Sequence, residues 1–139
     1  MRLTSPPSPR IRVGVDIVGV ERVARLVSQG GGILEEVFSA REQAACLGRA
    51  RGSDERLAER FAAKEAVLKA AGTGVGKRMR WTDVEIVDEP GGRPRVELHG
   101  EVAAYARRRG LSALDVSLSR SGGLAHAVAV WEESECAST

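Results

Sequence analysis

The sequence predicts an α+β domain: about five strands in a mostly antiparallel sheet, packed on one long helix and several short ones. Three observations carry this. Two-residue alternation of apolar and polar positions marks segments near both ends and in the middle of the chain. Helical spacing runs unbroken from residue 54 to 71. Glycine-rich breaks separate these segments from one another. The length of 139 residues suits one domain, here taken as residues 11–131. A chain of this size buries roughly 68% of its unfolded surface, so it needs no disulfide staple. Because aromatic residues make up only 4%, the core must come from Val, Leu, Ile and Ala.

Taken in order, residues 1–10 carry Pro6, Pro7 and Pro9 and are expected to form a flexible arm. Residues 11–18 alternate, with Ile11, Val13, Val15 and Ile17 on one side and Arg12, Gly14, Asp16 and Val18 on the other, which predicts a strand. Val20, Val23, Ala24 and Val27 then recur at helical spacing, with Arg22 and Arg25 on the opposite face, until Gly30-Gly31-Gly32 breaks the helix. Ser39 and Glu42 form a capping box that opens a short helix over 40–50. Asp54 can cap the long helix, and the run from Gly72 to Gly76 ends it. Strands are expected over 81–87 and 95–99 around a Pro90-Gly91-Gly92 turn, then a helix over 101–109 stopped by Gly110. Two last strands, 114–119 and 124–131, meet at Ser121-Gly122-Gly123, and residues 132–139 form a polar, flexible tail.

Composition excludes some functions. Lys plus Arg is 21 against 19 for Asp plus Glu, a net charge of +2, too balanced for a protein whose main task is to grip nucleic acid. The few aromatics leave no platforms for stacking bases. Cys46 and Cys136 lack metal-ligand spacing, and no secretory leader precedes them, so they read as free thiols in a cytoplasmic protein. No apolar run approaches the ~20 residues that span a bilayer, so no membrane partner is expected.

Two carboxylates stand out. On the long helix, Leu57, Phe61 and Leu68 define an apolar stripe, and Glu65 falls at its edge, about 40° from Phe61. Lys69 lies one turn further on. A bare carboxylate at such an edge is costly, so it is paired, protonated or bound to a metal. A Glu65–Lys69 helix pair is one reading and a metal-binding carboxylate the other. Asp16 sits within an apolar strand, where Asp is disfavoured unless it caps the next helix or holds a ligand. Two such carboxylates on different elements can hold one hard cation, because Mg²⁺ takes one or two carboxylates together with waters and phosphates. The Gly72-to-Lys77 run is no Walker A loop, since it follows a helix and lacks the spacing G-x-x-x-x-G-K-[ST]. His99 and His126 read as ordinary sheet residues, and Arg107-Arg108-Arg109 as a solvated helix end.

In order and spacing, Gly14-Val15-Asp16, Arg60-Phe61-Ala62-Ala63-Lys64-Glu65-Ala66 with Lys69, Gly72-Thr73-Gly74, Gly92-Arg93-Pro94 and Ser117-Leu118-Ser119 resemble the holo-acyl-carrier-protein synthase branch of the 4′-phosphopantetheinyl transferases. The resemblance spans about residues 11–131. It implies transfer of 4′-phosphopantetheine from coenzyme A to a serine of an acyl carrier protein, with Mg²⁺ as cofactor. Asp16 and Glu65 would be the metal ligands. Glu65 would take the serine proton directly or through a metal-bound water, and Lys69 would neutralise the diphosphate. Arg60, Lys64, Gly72, Gly74, Arg93, Pro94, Ser119 and Arg120 would bind coenzyme A, and Arg22 and Arg25 would dock the acidic carrier. The resemblance also implies a homotrimer with active sites between subunits. The family has His where this chain has Arg120, a residue that stays charged and can grip phosphate bidentately. That departure keeps a second reading open: a non-catalytic relative that binds coenzyme A or the carrier.

Overall fold

The computed structural model describes residues 10–48, 51–74, 76 and 78–134. Strands β1 (Arg10–Gly19), β4 (Leu111–Ser121) and β5 (Leu124–Glu133) form an antiparallel sheet in the order β1-β5-β4. Strands β2 (Val84–Asp88) and β3 (Pro94–Leu98) form a separate antiparallel hairpin. Five helices accompany them among the described residues: α1 (Val20–Ser28), α2 (Ile33–Val37), α3 (Ala40–Leu47), α4 (Ser53–Ala71) and α5 (Gly100–Arg109). The α+β class and the dominant long helix thus match the sequence reading.

Helix α4 is the centre of the molecule. Its 19 residues include six buried alanines, Ala58, Ala62, Ala63, Ala66, Ala70 and Ala71, which let neighbouring elements come close on several sides. The sharpest approach is β1. A Cβ on Gly14 would lie 1.9 Å from the Ala66 carbonyl oxygen and 2.6 Å from the Ala70 nitrogen, so only glycine fits there. The C-terminal half of α4 packs with Val84, Ile86, Val102, Val116, Ala127, Ala129 and Trp131 in one core. Its N-terminal part joins Val23, Val37, Phe38 and Cys46 in a second core. A helix enclosed this way has no single apolar stripe. Phe61 is only half-buried, against Trp81 with ring centroids 5.4 Å apart, so it does not mark the deepest direction.

Several boundaries differ from expectation for local reasons. Asp54 does not cap α4: the helix begins at Ser53 after Gly52, whose φ is 79°, and Asp54 sits in the first turn, where the helix dipole favours an acid. Ser39 does form the expected capping box with Glu42, but α3 stops at Leu47. The stretch expected to open a strand at 81 begins with a short 3-10 turn, Trp81–Asp83. Helix α2, only five residues long, follows the Gly30–Gly32 break and is too short to show a period. The sheet also takes in Arg10, paired with Glu133, and Glu132, paired with Ile11, so its strands run slightly past 11–131. Residues 1–9 and 135–139 of the expected arm and tail lie outside the described residues.

Candidate active site

The G-x-D segment of β1 and the K-E-A segment of α4 meet where Gly14 lets the two backbones touch. One turn beyond that contact, Lys69 Nζ donates to Asp16 Oδ1 at 2.9 Å and to the Val15 carbonyl at 3.2 Å. Asp16 is buried, and its Oδ2 has no hydrogen-bond partner among the described residues. Glu65 is half-buried beside it. Burial first, then the Asp16 charge, pushes the Glu65 carboxyl above its ordinary range, while Lys69 and Arg22 pull it back. The Asp16 hydrogen bond raises Lys69. Asp16, Glu65 and Lys69 are therefore one electrostatic unit, and Arg22 on α1 faces it rather than only solvent. A simple Glu65–Lys69 helix pair does not describe it, because the amine bonds to Asp16. A buried carboxylate oxygen without a donor, next to a second carboxylate, is a donor set suited to a hard divalent cation.

The expected coenzyme A residues gather elsewhere. Arg60, Arg93 and Pro94 line a cleft of about 710 Å³ between the N-terminal half of α4, the β2–β3 turn and β4. Arg60 is buried and its Nη2 reaches Asp88 Oδ2 at 2.6 Å. Arg93 meets Asp115 at 2.6 Å across the mouth. Ser119 and Arg120 line a second cleft of about 650 Å³ at the β4–β5 hairpin, where Gly122 and Gly123 both have positive φ. The two clefts share Glu59 and Leu118 as a wall. Asp16, Glu65 and Lys69 line neither. In the sheet order β1-β5-β4, the carboxylate cluster belongs to the β1 side and both clefts to the β4 side.

Gly72 ends α4 with φ 83°, its N–H and that of Thr73 bonding back to Lys69 and Leu68 carbonyls. Gly74 is exposed just beyond, while Val75 and Lys77 lie outside the described residues. Arg25 is exposed on α1.

Lys64 is not where a coenzyme A ligand belongs. Its side chain is wholly buried. The amine donates to Glu42 Oε1 at 2.7 Å, to the Trp81 carbonyl at 3.2 Å and to the Val84 carbonyl. Glu42 also accepts from Ser39 N and Ile86 N, so the pair ties α3, α4 and β2 together. No local pattern signals this pairing, since the acid lies 22 residues away from its lysine.

A further acidic group is visible only in three dimensions. Glu85, Glu97 and His99 bring ligand-type atoms within 4.8 Å of one another. Arg41 already bonds both carboxylates, at 2.6 and 2.8 Å, and Ser39 Oγ donates to Glu85 at 2.5 Å. The Arg41 hydrogen bond above all holds Glu85 down to about 2. With its cation supplied internally, this group is a structural ion-pair network. Cys46 is a buried free thiol whose pKa burial pushes up, an unreactive setting. No described helix is long and apolar enough to cross a membrane.

Known proteins resemble this chain in both sequence and fold. The chain is 45% identical over 124 residues to holo-[acyl-carrier-protein] synthase of Moorella thermoacetica, covering 89% of this chain and 95% of the relative. It is 44% identical to the enzyme of that name from Geobacter sulfurreducens, covering 86% and 94%. Among solved structures, the Chronobacterium ammoniagenes ACPS–CoA complex superposes with a TM-score of 0.82 at 32% identity, covering 91% of this chain and 99% of that one. The Bacillus anthracis holo-(acyl-carrier-protein) synthase in complex with CoA (3′,5′-ADP) gives 0.72 at 29% identity, covering 88% and 96%. The family model that matches residues 12–129 takes in both the β1–α4 carboxylates and the two clefts, and by it this chain belongs to the 4′-phosphopantetheinyl transferase superfamily.

Proposed function

We propose that the chain is a holo-[acyl-carrier-protein] synthase: it moves 4′-phosphopantetheine from coenzyme A to a serine of an apo acyl carrier protein and releases adenosine 3′,5′-bisphosphate. The observation that carries this reading is the Asp16–Glu65–Lys69 cluster, with its unpartnered buried oxygen. Asp16 and Glu65 would hold Mg²⁺, which supplies charge neutralisation for the coenzyme A diphosphate when bound. Lys69 adds a fixed positive charge on the same side and is exposed enough to reach a ligand. Glu65 accepts the proton of the carrier serine, a task its raised carboxyl suits. The serine oxygen bonds to the phosphorus nearest pantetheine, and the bond from that phosphorus to the oxygen kept by the nucleotide breaks.

Arg60, Arg93 and Pro94 take the nucleotide in the larger cleft, and Ser119 and Arg120 take its 3′-phosphate in the adjoining one. Gly72 and Gly74 leave backbone open to the ligand. Arg22 and Arg25 meet the acidic carrier, which makes encounter fast and salt-sensitive. Lys64 is left out of the binding set because it is buried and already partnered. We place the protein in the cytoplasm, where its two substrates would meet.

The active site is shared between copies in this reading. The outer face of the sheet carries Ile11, Val13, Val15 and Ile17, each more than half exposed, beside Val128 and Val130. Such an apolar face wants a cover. Val128 and Val130 also line the larger cleft, so whatever covers the face reaches the cleft. A heterologous contact, the β1 side of one copy against the β4 side of the next, unites the carboxylates with the clefts and closes into a ring. The homotrimer implied by the resemblance is that ring.

The test is intact-protein mass spectrometry of apo carrier proteins incubated with this protein, coenzyme A and Mg²⁺. One phosphopantetheine should be gained, and EDTA, Asp16→Asn or Glu65→Gln should abolish the gain. Coenzyme A binding without any transfer would favour the non-catalytic reading that Arg120 keeps open. Full transfer by both carboxylate variants would overturn the assigned mechanism.

A further inference from the structure

Glu59 enters neither the sequence motifs nor the proposed chemistry, yet it occupies the wall between the two clefts. Its Oε1 forms an ion pair with Arg120, lying 3.0 Å from Nε. Its side chain is 17% exposed against 49% for Arg120, so the acid is the anchor and the arginine the mobile partner. The other cations on this wall are engaged elsewhere: Arg56 donates twice to the Cys46 carbonyl, and Arg60 bonds Asp88. Burial pushes the Glu59 carboxyl up, and Arg120 is the first charge that brings it back.

We propose that Glu59 is a positioning residue that aims Arg120 at a phosphate monoester, and so sets the preference for a 3′-phosphorylated donor. The geometry explains how. With the Nε side of the planar guanidinium held against Glu59 by the ion pair, Nη1 and Nη2 remain as the edge for a bidentate phosphate. An arginine at an exposed hairpin end would otherwise lose rotamer freedom on binding. The arginine replaces a titrating imidazole with a permanent charge, and Glu59 supplies the orientation that a longer side chain lacks. This inference rests on the proposed reading of Arg120 as the 3′-phosphate residue.

The experiment measures transfer kinetics with coenzyme A and with 3′-dephospho-coenzyme A, using wild type, Glu59→Gln, Glu59→Asp, Arg120→Ala and the Glu59→Gln/Arg120→Ala double variant. Wild type should prefer coenzyme A through KM. Glu59→Gln should raise KM for coenzyme A about 3- to 10-fold, with kcat and the KM for the dephospho donor little changed. Glu59→Asp should recover part of the loss, and Glu59→Gln should add nothing when Arg120 is already alanine. Equal losses on both donors, or a Glu59 effect that survives in the Arg120→Ala background, would overturn the proposal. If Arg120→Ala itself keeps the preference, the phosphate role of Arg120 fails, and the Glu59 proposal with it. Retained preference in Glu59→Gln alone overturns only the role of Glu59. Thermal melts of every variant separate these outcomes from misfolding.

Discussion

Charged residues in this protein divide by whether their partner is inside the chain. Lys64 and Glu42 are satisfied by each other and by nearby backbone groups, and are structural. Asp16 is only half satisfied by Lys69, which is why it can serve a ligand. Glu85 belongs to the first kind, and its stability contribution is readable by pH. Its folded pKa of about 2 lies below the ordinary carboxylate value of 4.5, chiefly because Arg41 donates to it. A depressed carboxylate stabilises the fold above its unfolded pKa, and that stability is lost as pH falls from about 4.5 toward 2. Arg41 is half exposed, so solvent screening keeps the contribution modest. Arg41→Ala should therefore lower urea-unfolding stability at pH 7 and flatten the loss between pH 5 and 3. An unchanged acid limb in the variant would show that Ser39 and His99 suffice without Arg41.

At the level of elements, the contact that builds the site is β1 against α4. Gly14 permits it, and Asp16, two residues on, is thereby set beside Glu65 and Lys69. Gly14→Ala must push strand and helix apart, because the added methyl would meet backbone rather than a flexible side chain. We expect a loss of about 3 kcal/mol, near the upper end for overpacking, and transfer activity that falls further than stability explains. Thermal unfolding and kcat at a temperature where the variant is folded would check this, and a melting point within a degree of wild type would refute it. The β4–β5 hairpin is legible in the sequence because Gly122-Gly123 sits between two alternating runs, which the register Ser121↔Leu124 reproduces. The two carboxylates are legible for a related reason: each breaks the pattern of its element. Alternation in β1 gives two faces but not which is covered, and here the polar-looking face with Gly14 and Asp16 is the one turned inward. Lys64 and the Glu85 network are illegible because their partners arrive from distant segments, and α2 because five residues cannot show a period.

At the scale of the whole molecule, the argument turns on where the two halves of the site lie. The carboxylates are on the β1 side, the arginine clefts on the β4 side, and an apolar strip separates them. If a neighbouring copy covers that strip, a charge placed there should prevent assembly without harming the isolated fold. Val13 suits the test, being 63% exposed and outside both clefts. Val13→Asp should sediment as a monomer with wild-type circular dichroism, and its transfer rate should fall by more than about 100-fold, since burying an unpaired carboxylate opposes association strongly. Sharing of the site is a separate matter, which co-expression resolves. Glu65→Gln disables the β1 side, and Arg93→Glu, at an exposed pair, disables the cleft side. In a ring mixed at random from equal amounts, about one site in four joins an intact β1 side to an intact cleft side. Mixed oligomers of two nearly inactive variants should thus regain about a quarter of wild-type activity per site. If each chain instead holds a complete site, every chain in the mixture carries one defect, and no activity returns however well the copies assemble.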